Sequence, residues 1–225
     1  MKLSKSTLLI AAAILFCVAV VTPAQSPEAA KSSSVQLGDK VIVIPNPEGF
    51  EETISQFESV KRFFVSMANP GSDMLLAHLP TSDCELLRTG SRPTLKFYTM
   101  VSVFKARRES TQTNADMAGF VAEFRKNGAA ILDPDSPVVK SVMEKGEREL
   151  SASRSEQIKL EAVQTDYLGE FDVRPEVYSR MILFTYRTDV EGTQSVRPTL
   201  ASMTLLKVGP RIIRVFVYRK ISPTA

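Results

Sequence analysis

The chain predicts an α+β fold: about six to seven strands in a mainly antiparallel sheet, covered by about three helices. Two observations make that prediction. In the first half, apolar residues recur at helical spacing, at Ile54, Phe57, Val60, Phe64 and Ala68 and again at Met117, Phe120, Val121 and Phe124. From Ile158 onward the period changes to two and stays there, with short connections between the apolar runs. That is the pattern of an antiparallel meander, here of four strands.

Taken in order, Val41-Ile42-Val43-Ile44 reads as a short buried strand ended by Pro45-Asn46-Pro47. A helix follows Phe50, with Glu51, Glu52 and Glu58 towards its start and Lys61-Arg62 nearer its end, as the macrodipole favours. Asn69-Pro70-Gly71 stops it. Met74–Leu79 is a strand, residues 80–94 an irregular connection, and Leu95–Phe104 a further strand. Thr113-Asn114-Ala115-Asp116 has the form of a capping box opening a second helix, for which Gly128 would be the C-terminal cap. Asp133-Pro134-Asp135-Ser136-Pro137 opens a third, which Gly146 and the serines at 151, 153 and 155 weaken in its second half. The meander strands fall at about Ile158–Phe171, Val177–Arg187, Thr199–Lys207 and Ile212–Arg219, with a bulge or bend near Ala162-Val163. The last of them is apolar almost throughout, which places it centrally with both faces covered.

Residues 1–24 read as a secretory signal: Lys2 and Lys5, the uncharged run Leu8–Val21, then Thr22-Pro23-Ala24, small where a signal peptidase reads. Cleavage is expected after Ala24, giving a periplasmic or secreted chain. The alternative is a membrane anchor formed by an uncleaved Leu8–Val21, although a span needs about 20 apolar residues. Cys17 is not read as a lipidated cysteine, because Phe16 stands before it where a small residue belongs. Residues 25–38 read as a flexible lead and 39–221 as a single α+β domain.

Without Lys2 and Lys5 the chain carries 26 basic against 25 acidic side chains. So near-neutral a protein has no long-range field for nucleic acid, and no insertion of the mature chain in a membrane is expected. One cysteine, Cys84, would survive cleavage, which excludes a disulfide framework. Set between Asp83 and Glu85, it reads as a semi-buried small residue, with intermolecular pairing as the functional alternative.

Chemistry-bearing patterns are sparse, and no catalytic, cofactor or metal-binding residue is assigned. The only histidine, His78, ends an apolar strand and reads as a strand-end residue near solvent, without the nucleophile and orienting partner a general base needs. One His and one Cys fall short of a zinc set. Asp133 and Asp135 read as helix N-terminal acids and not as calcium ligands. Asp166, Glu170 and Asp172 would share one strand face, a solvated strip or, alternatively, a carboxylate set for hydrolysis. Phosphate-binding glycine motifs are absent. Lys105, Arg107 and Arg108, and Arg211, Arg214, Arg219 and Lys220, read as strand-edge or strand-end charges, with docking of an anionic ligand or protein as the functional alternative.

The segment from Val41 to Phe50, VIVIPNPEGF, followed by a helix and strands, resembles the opening of an α/β/α sandwich. That fold is shared by the PsbP-type extrinsic subunit of the oxygen-evolving complex, the Ran-binding nuclear import factor of yeast and several bacterial families without assigned function. SRMILFTYRTDVEG and LASMTLLKVGPRIIRVFVYRK are similar to segments of uncharacterised exported bacterial proteins of that shape. The resemblance covers most of residues 38–221. It implies a PsbP-like α/β/α sandwich with a closing helix after the last strand, where this sequence has only Ser222-Pro223-Thr224-Ala225. Its motifs are structural and carry no function of their own.

The function expected on these grounds is non-enzymatic: an exported binding or assembly module for an envelope protein or other envelope component. Two alternatives stand beside it. One is a hydrolase using Asp166, Glu170 and Asp172. The other is a carrier of a small apolar ligand, in a pocket between helices and sheet lined by Phe57, Phe64, Phe120 and Phe124.

Overall fold

Alternation of apolar residues at Val35 and Leu37, and at Ile42 and Ile44, makes Ser32–Leu37 (β1) and Lys40–Pro45 (β2) an antiparallel hairpin with one apolar side. The computed structural model describes residues 32–221; the expected signal and its cleavage site lie outside the described residues. β1 corrects the flexible lead expected over 25–38, since Leu37 is fully buried. β2 is not the buried strand expected either, because Val41 and Val43 are each 61% exposed on its far side.

Seven further strands form one sheet, antiparallel throughout: Phe50–Glu52 (β3), Ser72–Pro80 (β4), Phe97–Phe104 (β5), Ile158–Arg174 (β6), Val177–Val190 (β7), Thr193–Val208 (β8) and Arg211–Lys220 (β9). Their order is β3-β4-β5-β9-β8-β7-β6, so the apolar last strand is the central one, as its composition predicts. The expected irregularity in β6 is there, a register shift between Ala162 and Gln164, with two more between Tyr167 and Gly169 and between Glu170 and Asp172.

The helices are Glu58–Ser66 (α1), Thr81–Arg88 (α2), Asn114–Ile131 (α3) and Pro137–Arg154 (α4). α1 begins later than its acids suggest. At Thr53 the chain is still laddered to β4, with its amide and hydroxyl donating to the Ala77 carbonyl at 2.9 and 3.0 Å. α2 stands where an irregular connection was expected. Its buried Asp83 accepts from the amides of Thr94 and Leu95, both at 3.0 Å, and so ties down the loop that follows. The capping box at Thr113 and Asp116 forms as predicted. Gly128, expected as the cap of α3, lies inside the helix. α4 likewise runs through Gly146, where a Cβ would collide with the Met67 sulfur; the bare backbone lets α4 close on the end of α1.

α1 and α2 pack on Ala77, Leu79 and Met100, and α3 on Tyr178, Ile182, Met203, Leu205 and Ile212. Side chains alternate across a strand, so all of these belong to one face of the sheet. The other face takes the β1–β2 hairpin, whose Leu37 and Ile42 bury against Leu76, Val101, Val103 and Ile213. The layers are therefore helices, sheet and β-hairpin, where the resemblance implies helices on both sides.

Arg211 locks the hairpin down. Its guanidinium, 2% exposed, donates to the carbonyls of Leu37 at 3.1 Å and Ser110 at 3.0 Å and to the Asp39 carboxylate at 2.7 Å. Gly38, with φ of 59°, leaves room for it; a Cβ there would stand 2.8 Å from Arg211 Nη2. Arg211 is thus a buried clamp and not the strand-end charge expected.

Candidate functional site

On the helix-covered face, β9 presents Ile212, Arg214, Phe216 and Tyr218, and β7 presents Tyr178, Arg180, Ile182, Phe184 and Tyr186. α1, α3 and α4 do not close down completely on these residues. Between the layers lies a cavity of about 380 Å³, within the range of about 300–1,000 Å³ typical of ligand pockets. α1 supplies Phe63 and Phe64 to its wall, and α4 supplies Val138, Val139, Val142 and Met143. The sheet supplies Met100, Met203, Phe184 and Phe216.

Apolar lining makes such a space costly to leave dry. Tyrosines add polar tips to the wall. Burial raises the hydroxyl pKa of Tyr98 and Tyr186 and pushes Tyr218 up to about 12, so all three stay neutral at physiological pH.

Two arginines complete the wall. Arg214 is 6% exposed and Arg180 3%, and no carboxylate of the described residues lies within ion-pair distance of either. Arg214 donates through Nη2 to the Ser72 hydroxyl and stacks over the Phe104 ring, 4.1 Å from its centroid. Its Nε has no partner, and burial lowers its pKa to about 10. Arg180 reaches the Phe124 carbonyl through Nη1 at 3.5 Å and lies between the Phe124 and Tyr167 rings, at 5.3 and 5.5 Å. Its Nε and Nη2 have no partner. The acid directly across the ladder, Glu170, is taken up instead by Arg125, at 2.6 and 2.8 Å, and by the Tyr178 hydroxyl at 2.9 Å. A buried charge without a partner costs several kcal/mol, and the aromatic faces offset only part of that.

The structure redistributes the residues singled out in the sequence. Of the four phenylalanines expected around a pocket, Phe64 and Phe124 line the cavity. Phe120 instead stacks on Phe104, and Phe57 lies under the Arg88 guanidinium. Asp166, Glu170 and Asp172 do not share a face. Their ladder partners are Leu183, Arg180 and Ser179, so the bulges turn Glu170 to the helix side and leave the other two on the opposite side.

His78 is buried at 2% exposure, not near solvent. Its Nδ1 pairs with the Thr99 hydroxyl at 2.8 Å, and burial lowers its pKa. Cys84 is also fully buried, and burial raises its thiol pKa to about 11, which makes it inert at neutral pH. Arg107 lies over the Phe120 ring, and Arg108 donates to Asp73 at 3.0 Å and to the Gln36 carbonyl at 3.3 Å. Asp133 accepts from the Asp135 amide just ahead of α4, and Asp135 pairs with Lys140 at 2.9 Å. Among the described residues, no group of three His, Cys, Asp or Glu side chains is placed to hold a metal ion, and no helix is long and apolar enough to cross a membrane.

Arg214 was visible in the sequence as one of a group of strand-end charges, and Arg180 was not singled out at all. The one signal of their burial was their place inside apolar runs, IIRVFV and YSRMILF. Comparison with protein-family models, with curated proteins and with solved structures found no match to this chain.

Proposed function

We propose that this domain is a non-enzymatic binder of a small, largely apolar molecule, held between its helices and its sheet. The observation that carries the reading is the cavity of about 380 Å³ walled by phenylalanine, methionine and valine. A ligand there recovers the contacts that an empty apolar space forgoes, and by mass action it raises the stability of the folded chain. The signal expected at 1–24 adds that the binding takes place outside the cytoplasm. The test is titration of the purified protein with phenylnaphthylamine, a neutral apolar dye that brightens when buried. Saturable brightening, weakened at least tenfold by Ala162→Trp in the cavity wall, is the expected result. Brightening that Ala162→Trp leaves unchanged would place the dye elsewhere.

A second reading, docking of an envelope protein, draws on the outermost strand. There Tyr167, Leu168, Phe171 and Val173 are all more than half exposed, a concentration of apolar surface that suits a protein contact. Cross-linking in intact source cells tests it. The captured partner should be lost on Leu168→Lys with Phe171→Lys; capture that survives both removes β6 from the interface.

A further inference from the structure

Among the described residues, the cavity wall contains Arg180, Arg197, Arg214 and Lys220 and not one Asp, Glu or His. A lining at once apolar and uniformly cationic is unusual, because an interior site for a neutral molecule gains nothing from unpaired guanidinium groups and is weakened by their desolvation. The cations are also unevenly placed. Arg197 is exposed and Lys220 half-buried, at the end where Thr188 and Ser195 line the space. Arg214 stands six residues along β9 from Lys220, roughly 20 Å at the rise of a strand. At its level Ser102, its ladder partner on β5, and Ser72 put two more buried hydroxyls against the cavity. Arg180 lies two strands away and one pleat further along the same face. Between the two ends the surfaces are aromatic and aliphatic: Tyr98, Phe216, Tyr218, Phe184 and the valines of α4.

We infer, resting on the cavity-binding reading above, that the ligand is an amphipathic anion, its long alkyl chain lying along the aromatic floor and its anionic oxygens on Arg214 and Arg180. The free donors match such a head. Arg214 Nε and Arg180 Nε and Nη2 are buried N–H groups without a partner, and guanidinium forks favour the paired oxygens of a carboxylate or a phosphate. The site is built rather than incidental. Gly128, inside α3, has no Cβ where one would collide with the Arg180 guanidinium, so the helix opposite is cut back to admit that charge. The lowered pKa of Arg214 is the mark of a cation held in a dry place without its counter-ion.

Calorimetric titration of the full chain with hexadecanoate, hexadecyl phosphate and hexadecanol, below their aggregation concentrations, tests the assignment. The acid or the phosphate should bind at least tenfold more tightly than the alcohol, and whichever of the two is tighter names the head group. Arg214→Met and Arg180→Met should each weaken the anion at least tenfold and leave hexadecanol unchanged or tighter. Arg92→Gln, at an exposed arginine outside the cavity wall, should change either by less than twofold. Alcohol bound as tightly as acid, or anion binding indifferent to both Met variants, overturns the anionic head while leaving an apolar-ligand cavity. No binding of any of the three overturns both. Should a Met variant fail to fold, the comparison of acid with alcohol on the unaltered chain still decides.

Discussion

Arg211 and Arg214 sit three residues apart on one strand, both buried, and they are opposites. Arg211 faces the hairpin and gives its N–H groups to the backbone carbonyls of Leu37, Ser110 and Pro210 and to Asp39, tying its strand to segments more than a hundred residues away in sequence. Arg214 faces the helices, leans on a phenylalanine ring and a serine hydroxyl, and keeps Nε unmet. Burial by itself therefore does not say what an ionised side chain is for. The count of its partners separates the two: the satisfied guanidinium is a fastening, and the unsatisfied one is the group on which the proposed anion site rests.

The largest effect separates the two directly. Arg211→Ala is expected to cost about 3 kcal/mol in urea unfolding, since it strands the buried Leu37 carbonyl, unpairs Ser110 and Asp39 and frees the hairpin. Arg214→Met should fall within about 1 kcal/mol of the parent, or stabilise it, because an apolar group replaces an uncompensated charge. Equal losses at both positions would erase the distinction.

Gly128→Ala sharpens the comparison from the helix side. In an ordinary helix interior this change gains about 1 kcal/mol. Here the new methyl group meets the Arg180 guanidinium, so no gain in thermal stability is expected, together with several-fold weaker hexadecanoate binding. A full gain with unchanged binding would mean that the glycine has nothing to do with Arg180.

The smallest effect concerns the acid that Arg180 does not receive. The hydrogen-bonded Arg125 guanidinium, helped by the Tyr178 hydroxyl, holds the Glu170 carboxyl at about 2, below its ordinary 4.5. A folded-state value below the unfolded one means stability that is present above about pH 4.5 and lost as pH falls towards 2. Glu170→Gln should thus melt up to about 3 °C lower near neutral pH, and the difference should vanish at the acid end. A difference that persists unchanged at low pH would show that the ion pair is not its source.

Much of the scaffold was legible because its signals are local. The capping box at Thr113, the meander after Ile158 and the central place of β9 all follow from a few neighbouring residues. What was missed depends on partners distant in sequence. Ser32–Leu37 looks polar and irregular until β2 and Arg211 give it a ladder and an anchor. α2 is eight residues long, too short to show a period, and is steadied by contacts from Asp83. Three acids written with apparent period two were scattered by two bulges that no pattern in the sequence marks.

The sequence by itself determined the α+β class, the antiparallel meander and the capping-box start at Thr113, and bounded the start of the last helix within Asp133–Pro137, since each rests on residue identity or short-range spacing. Only the tertiary structure decided which arginines are fastenings and which face a cavity. On one strand that choice is a matter of which side alternation presents them to and what has folded over that side. For the arginines of β9, the hairpin came from one end of the chain and the helices from its middle.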